Sequence, residues 1–116
     1  MIQSFLQYIR YEKNYSSHTV LSYQTDLEQL RGFLLVQKGE FEPKTLTSVE
    51  LREWVIALMD IGEKPSSVKR KISAVRSFFK FLNLKNLTTN NPTLKVLSPK
   101  VPKSLPKFFY EKDSIS

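Results

Sequence analysis

Residues 65–82 of this 116-residue chain read PSSVKRKISAVRSFFKFL, and this stretch decides the fold. Its aliphatic and aromatic residues recur at intervals of three and four, the spacing that places side chains on one face of an α-helix. The stretch therefore predicts an amphipathic helix that opens at Pro65 and continues to about Lys85. Its apolar face consists of Val68, Ile72, Val75, Phe79 and Leu82.

The neighbouring face of the same predicted helix is basic and polar. No Asp or Glu occurs between residues 64 and 107, so the helix cations have no internal i,i+4 ion pairs and repel one another modestly. Something outside the helix is expected to offset that repulsion. At about 100° per residue this face gathers Lys69, Arg70, Ser73, Arg76, Ser77 and Lys80.

Charge is distributed unevenly along the chain, whose net charge is +7. Residues 1–63 hold six Lys or Arg and nine Asp or Glu, whereas residues 64–116 hold twelve Lys or Arg and two Asp or Glu. A basic half of this kind indicates a polyanionic partner, either nucleic acid or an anionic membrane surface. On charge alone, a solvated basic face with a basic tail explains the pattern equally well.

Three more helices are predicted before this one, over about residues 2–12, 16–38 and 48–61. A serine at position 16 or 17 caps the second, and Thr47 with Glu50 forms a capping box for the third. Glycines 39 and 62 end the second and third helices. The expected core positions are Val20, Tyr23, Leu27, Leu30 and Leu34 on the second helix, and Leu51, Val55, Leu58 and Met59, with Trp54 alongside, on the third.

The end of the chain has a different character. Residues 92–97 are compatible with one short helix, and the lysine- and proline-rich run from Ser98 onward favours an extended linker. The sequence therefore predicts an all-α fold: a compact four-helix bundle with a short fifth helix and a basic, Pro-rich C-terminal linker.

The residue inventory excludes several kinds of site. Without cysteine the chain has no disulfide, thiolate zinc site or Cys nucleophile, and its single histidine, His18, does not build a His-rich metal site. Three scattered glycines do not form a phosphate-binding loop, and no apolar run is long enough to span a membrane. We therefore expect no catalytic residues, no metal, no cofactor and no membrane partner, and a cytoplasmic location.

Three motifs resemble one known family. Residues 15–27, YSSHTVLSYQTDL, resemble the S-x-x-T-x-x-x-Y-x-x-D-L signature of the N-terminal core-binding, SAM-like domain of tyrosine recombinases and phage integrases, especially the Xer type. Residues 70–82, RKISAVRSFFKFL, are similar to the family's R-K-L-S-A-L-R-S-F-F-x-F-L. Residues 91–92, 98–100 and 105–106 resemble its exit into the interdomain linker. The motifs occur in the expected order over nearly the whole chain.

The resemblance implies a division of the chain and a function. Residues 1–97 would be a SAM-like domain that clamps duplex DNA through its second and fourth helices, and residues 98–116 the linker and the start of a catalytic domain. In the family that domain supplies the Arg, Lys, His-x-x-Arg and Tyr that cut and rejoin DNA. His18 does not match His-x-x-Arg, and Tyr110 is not carried over as the nucleophile. We expect this chain to bind DNA without cutting it, within a longer recombinase whose protomers assemble on DNA.

The candidate DNA-binding residues follow from the basic face and from the resemblance. Lys and Arg neutralise phosphates, hydroxyls donate to phosphates or base edges, and the start of a helix attracts anions. Ordinary solvated faces, N-capping and solubility of the tail are the competing explanations, and we expect Asp26 to be structural. The candidates are Lys69, Arg70, Ser73, Arg76, Ser77 and Lys80 on the fourth helix, His18, Thr19, Ser22 and Thr25 on the second, and Lys100 and Lys103 in the linker.

Two other functions remain open at this point. A helical protein–protein interaction module could use the same basic face to bind an acidic partner, because a fold alone does not settle function. Peripheral membrane binding is disfavoured, because the basic face lacks the large apolar border that membrane-surface helices use.

Overall fold

The computed structural model describes residues 1–96, which are all-helical and contain no strand. The expected all-α class and the four helices are confirmed. Residues from 97 onward, including the candidate residues Lys100 and Lys103, lie outside the described part of the chain. The elements are α1 (Ile2–Gln7), which continues as a π-helical turn (Tyr8–Glu12), α2 (Ser17–Lys38), α3 (Ser48–Asp60), α4 (Pro65–Leu84) and a 3₁₀ turn (Pro92–Lys95).

The ends of α2 are set by the residues that the sequence singled out. Ser16 is the N-cap, and its Oγ accepts a hydrogen bond of 3.2 Å from the backbone N–H of Thr19. Gly39 ends the helix with φ of +80°, a left-handed conformation that glycine adopts without steric cost. The Ser16 cap therefore fixes where α2 begins, and so it fixes where the side chains of the first turn lie along the helix axis.

The start of α3 is a complete capping box. The backbone N–H of Glu50 donates to Thr47 Oγ1 over 3.1 Å, and the backbone N–H of Thr47 donates to Glu50 Oε1 over 3.0 Å. The second carboxylate oxygen of Glu50 accepts a 2.8 Å bond from Lys38 Nζ. This carboxylate therefore caps α3 and also ties it to the end of α2.

The core is built around α4, which contacts α1, α2, α3 and the 3₁₀ turn. All five residues of its predicted apolar face are buried. On α3 the prediction of Met59 as a core residue is wrong, because its side chain is 40% exposed. The buried side chains of α3 are Leu51, Trp54 and Leu58, and Met59 lies about 100° around the helix from Leu58.

Candidate nucleic-acid interface

Five of the twelve candidate residues meet in one groove between α2 and α4. His18, Thr19 and Ser22 approach from α2, and Arg70 and Ser73 approach from α4. Tyr23, Asp26 and Ala74 complete the walls of the groove, whose volume is about 370 Å³. Residues about 50 positions apart in the sequence thus form one continuous polar surface.

The α2 wall of the groove is organised by the N-cap. Ser16 Oγ lies 3.0 Å from Thr19 Oγ1, in addition to accepting the Thr19 N–H. His18 and Thr19 are exposed in the first turn, and Ser22 is half-buried one turn later. The N-capping expected of Ser16 or Ser17 is therefore made by Ser16, and it places the first-turn side chains at the edge of the groove.

A buried carboxylate lies beside the groove. Asp26 is 1% exposed, and its Oδ1 accepts 3.1 Å bonds from Arg70 Nη2 and from Lys71 Nζ. The two cations differ in exposure, because the Arg70 side chain is 56% exposed and the Lys71 side chain only 7%. Two positive groups thus hold one buried negative group, and the excess charge lies on the exposed Arg70.

Lys71 is the residue that the sequence reasoning missed. It lies three residues after Val68 and four before Val75, within the apolar face of α4. A lysine at such a position needs a carboxylate partner, because burying an unpaired charge is costly. The position of Lys71 within an apolar face could have indicated a buried ion pair. It does not reveal which carboxylate is the partner.

The other candidates on α4 lie outside this groove. Lys69 and Lys80 are exposed, and neither forms an ion pair within residues 1–96. Lys80 and the half-buried Ser77 line a neighbouring cavity of about 440 Å³, which shares Tyr23 with the first groove. The basic face thus continues along α4 past a wall of aromatic rings.

Two candidates are engaged within the protein. Arg76 Nη2 donates a 2.7 Å hydrogen bond to the backbone carbonyl of Val96, close to the end of the described chain. Thr25 Oγ1 donates to the Leu21 carbonyl one turn earlier in α2, over 2.9 Å. Each of these side chains therefore has an internal partner that a ligand would have to replace.

Within residues 1–96 the structure shows neither a cluster of metal ligands nor a membrane-spanning helix. Among residues 1–96 no three His, Asp or Glu side chains come together as a metal site would require. None of the helices in that range is both long and apolar enough to cross a bilayer. What the surface presents is exposed cations and hydroxyls, the groups that bind phosphate oxygens.

The chain is similar to proteins of one family. The family model for the phage integrase N-terminal SAM-like domain matches residues 2–86. Proteins called tyrosine recombinase XerC are 40% identical to the chain over 111 residues in Bacillus licheniformis, 38% over 109 in Listeria innocua and 35% over 113 in Bacillus subtilis. These alignments cover 94%, 94% and 97% of this chain but only 36% of each relative. No solved structure gave a significant match.

Proposed function

The chain belongs to the phage integrase N-terminal SAM-like domain family, and from that premise we propose that it is the DNA-binding module of a tyrosine site-specific recombinase. Residues 1–97 bind duplex DNA, and residues 98–116 lead into the catalytic domain. The chain itself binds DNA and cuts nothing. The cleavage and rejoining of strands, and the assembly of protomers on DNA, belong to the longer protein.

The observation that carries this proposal is the groove between α2 and α4. Its α2 wall supplies His18 and two hydroxyls, and its α4 wall supplies Arg70 and Ser73. Half or more of all protein–DNA hydrogen bonds go to phosphates and sugars, from side chains of these kinds. The groove offers both the cation and the hydroxyl donors that such contacts use.

The surrounding electrostatics support the same function. The groove's one carboxylate, Asp26, is buried and already held by two cations. Lys69 and Lys80 are exposed on α4, a helix without any acidic residue. Each phosphate that such cations neutralise releases a counterion, and this release drives DNA binding at moderate salt. We propose Lys69, Arg70 and Lys80 as phosphate contacts, and His18, Thr19, Ser22, Ser73 and Ser77 as hydrogen-bonding contacts.

The remaining candidates have smaller roles in this proposal. Arg76 and Thr25 contribute to the electrostatic field or to local order more than to direct contacts, because each already bonds a backbone carbonyl. Lys100 and Lys103 track the phosphate backbone as the chain leaves the domain. Replacing both of these lysines with glutamine should then make the salt dependence of DNA binding shallower without changing the stability of the helical domain.

The test is duplex-DNA binding measured by fluorescence anisotropy across a series of salt concentrations. The variant is Lys69→Glu/Lys80→Glu, and its matched control is Lys44→Glu/Arg52→Glu, which reverses two exposed charges away from α4. For the wild-type chain we expect log K to fall linearly with log salt, with a slope of about −0.9 for each neutralised phosphate. We expect a shallower slope in the α4 variant and a slope near the wild-type value in the control.

Two results would contradict the proposal. Absence of binding to duplex DNA at low salt would favour a protein partner, and a pull-down with acidic proteins would then test the alternative module. Equal losses in the α4 variant and its control would show that net charge alone attracts DNA, with no defined interface. Circular dichroism of all variants would confirm that they remain folded.

A further inference from the structure

Asp26, Arg70 and Lys71 form a triad in which one carboxylate oxygen holds two cations. We propose that Asp26 is a positioning residue: Lys71 anchors it, and it fixes the Arg70 guanidinium at the wall of the groove for contact with a DNA phosphate. This inference rests on the proposed DNA-binding function, because it concerns how one contact of that interface is prepared.

The first support is the asymmetry of burial within the triad. The Asp26 side chain is 2% exposed and that of Lys71 is 7% exposed, so these two charges compensate each other inside the protein. The Arg70 side chain is 56% exposed and lines the groove. The triad therefore has a net charge of +1, and Arg70 presents that charge to the solvent.

The second support is the number of donors that Arg70 keeps. A guanidinium carries five N–H donors in a planar fork, and the bond to Asp26 uses Nη2 alone. An arginine held by one arm retains donors for a phosphate oxygen. It also loses less conformational freedom on binding than a mobile side chain would.

The third support is that Asp26 itself is unsuited to contact DNA, because its carboxylate is buried and carries the same sign of charge as a phosphate. A carboxylate beside a phosphate-binding groove repels the ligand unless it is neutralised, and here Lys71 and Arg70 both neutralise it. A passive role and a positioning role therefore make different predictions. If the Asp26–Lys71 pair is only a neutral part of the interior, removing both charges leaves DNA binding unchanged; if Asp26 positions Arg70, removing both weakens binding.

The decisive variant removes the buried pair and keeps the charge. Asp26→Asn/Lys71→Met deletes one negative and one positive charge, so the net charge of the triad stays at +1. Replacing a buried ion pair with neutral residues of similar size is often neutral or stabilising, so we expect this variant to fold. Single substitution of Asp26 would leave Lys71 buried and unpaired, and is unsuitable for that reason.

The experiment is a double-mutant cycle on DNA affinity at fixed salt. In the wild-type background we expect Asp26→Asn/Lys71→Met to weaken binding by about five- to tenfold, the loss of one well-placed charge-assisted hydrogen bond. In an Arg70→Ala background the same pair of changes should leave affinity unchanged, because the residue on which Asp26 acts is gone. A purely structural role would weaken binding equally in both backgrounds.

A second variant keeps the proposal falsifiable if the pair of changes does not fold. Arg70→Lys keeps the charge and the Asp26–Lys71 pair but replaces the planar fork with a point charge. A severalfold loss of affinity shows that binding uses the guanidinium fork, as positioning by Asp26 requires, whereas unchanged affinity overturns the proposal. Circular dichroism and thermal unfolding monitor the fold of each variant.

The outcomes also separate this inference from the function on which it rests. If the wild-type chain does not bind DNA, the proposed function fails. If the wild-type chain binds DNA and Asp26→Asn/Lys71→Met binds it equally well or more tightly, only the positioning role of Asp26 fails.

Discussion

Glu50 uses both oxygens of its carboxylate, one for the capping box of α3 and one for Lys38 at the end of α2. The hydrogen bond from Lys38 is the largest cause that lowers the pKa of Glu50 below its ordinary value of 4.5. The same bond raises the pKa of Lys38 above 10.5. The contact between α2 and α3 that Lys38 and Glu50 form thus depends on the protonation state of Glu50.

Acid is expected to weaken this contact. A carboxyl group whose pKa is lower in the folded than in the unfolded state stabilises the fold above its unfolded pKa. That contribution is lost as the pH falls through the folded value, so the loss occurs below pH 4.5. Glu50→Gln should therefore lower the free energy of unfolding at neutral pH. The fall of that free energy below pH 4.5 should be shallower in this variant than in the wild type. Urea unfolding across a pH series measures both effects.

The control for this prediction is Glu53→Gln, on the exposed side of the same helix. Glu53 forms no ion pair among residues 1–96. Its substitution should therefore leave the fall of the free energy of unfolding below pH 4.5 close to that of the wild type. If the free energy of unfolding of Glu50→Gln fell below pH 4.5 as steeply as that of the wild type, the role assigned to the Lys38–Glu50 bond would be contradicted.

At this scale, sequence identified local partners and missed distant ones. Thr47 and Glu50 lie three positions apart, so their capping box could be predicted from the sequence. Asp26 and Lys71 are 45 positions apart, and the carbonyl that Arg76 binds is 20 positions further along the chain. Such pairs depend on how the helices pack against one another. The periodicity of apolar residues does not indicate which polar groups from different helices come into contact.

Helix α2 contains two glycines in opposite situations. Gly32 lies inside the helix, and a Cβ built there would meet nothing within 4 Å. Gly39 ends the helix with φ of +80°, where a Cβ also meets nothing but the backbone conformation disfavours any L side chain. The two positions therefore separate helix propensity from conformational strain.

Alanine should have opposite effects at these two positions. Gly32→Ala is expected to raise the free energy of unfolding by about 0.5 to 1 kcal/mol, because alanine loses less backbone entropy in a helix. Gly39→Ala is expected to lower it by about 1 kcal/mol, because alanine is strained at positive φ. Thermal and urea unfolding of the two variants would check both signs. A rise in both would contradict the strained conformation assigned to Gly39 at the end of α2, and a fall in both would contradict the gain expected at Gly32.

Most helix boundaries could be predicted from the sequence. Both ends of α2 and α3 and the start of α4 follow from caps, glycines and a proline that act within one helical turn. The first predicted helix keeps its expected range, but Tyr8–Glu12 are π-helical, with the N–H of Lys13 bonded to the Tyr8 carbonyl. Apolar spacing does not distinguish α from π turns over five residues. Apolar spacing also misplaced Met59, because a helix buries only one side, and on α3 that side holds Leu51, Trp54 and Leu58.

Phe78 connects several elements of the whole molecule. It is fully buried, and its ring centroid lies 5.6 Å from that of Phe5 in α1 and 6.5 Å from that of Phe41 in the connection before α3. Phe78→Ala should lower the free energy of unfolding by about 3 to 5 kcal/mol, since it leaves a cavity where these elements meet. Leu84→Ala, at a 61% exposed position of α4, should change it by less than about 0.5 kcal/mol. Comparable losses in the two variants would place the core elsewhere.

Arg76 and Lys69 differ in what their charges do for the molecule, although both lie on the basic face of α4. Arg76 is bonded to the Val96 carbonyl at 2.7 Å and so holds the C-terminal end of the described chain against the bundle, whereas Lys69 is exposed without an ion pair in residues 1–96. Replacing each with methionine should separate stability from DNA binding. Arg76→Met should lower the free energy of unfolding by about 1 to 2 kcal/mol and leave the salt slope nearly unchanged.

Lys69→Met is the counterpart, and it should leave stability unchanged while making the salt slope shallower by about 0.9. Urea unfolding and anisotropy on the same two proteins measure both quantities. The reverse pattern, a stable Arg76→Met with a shallower slope, would mean that Arg76 leaves Val96 for a phosphate when DNA binds. Lys69 and Arg76 lie on the same face of α4, so under the proposed function we expect their side-chain partners, and not their position on that face, to decide which of them contacts DNA.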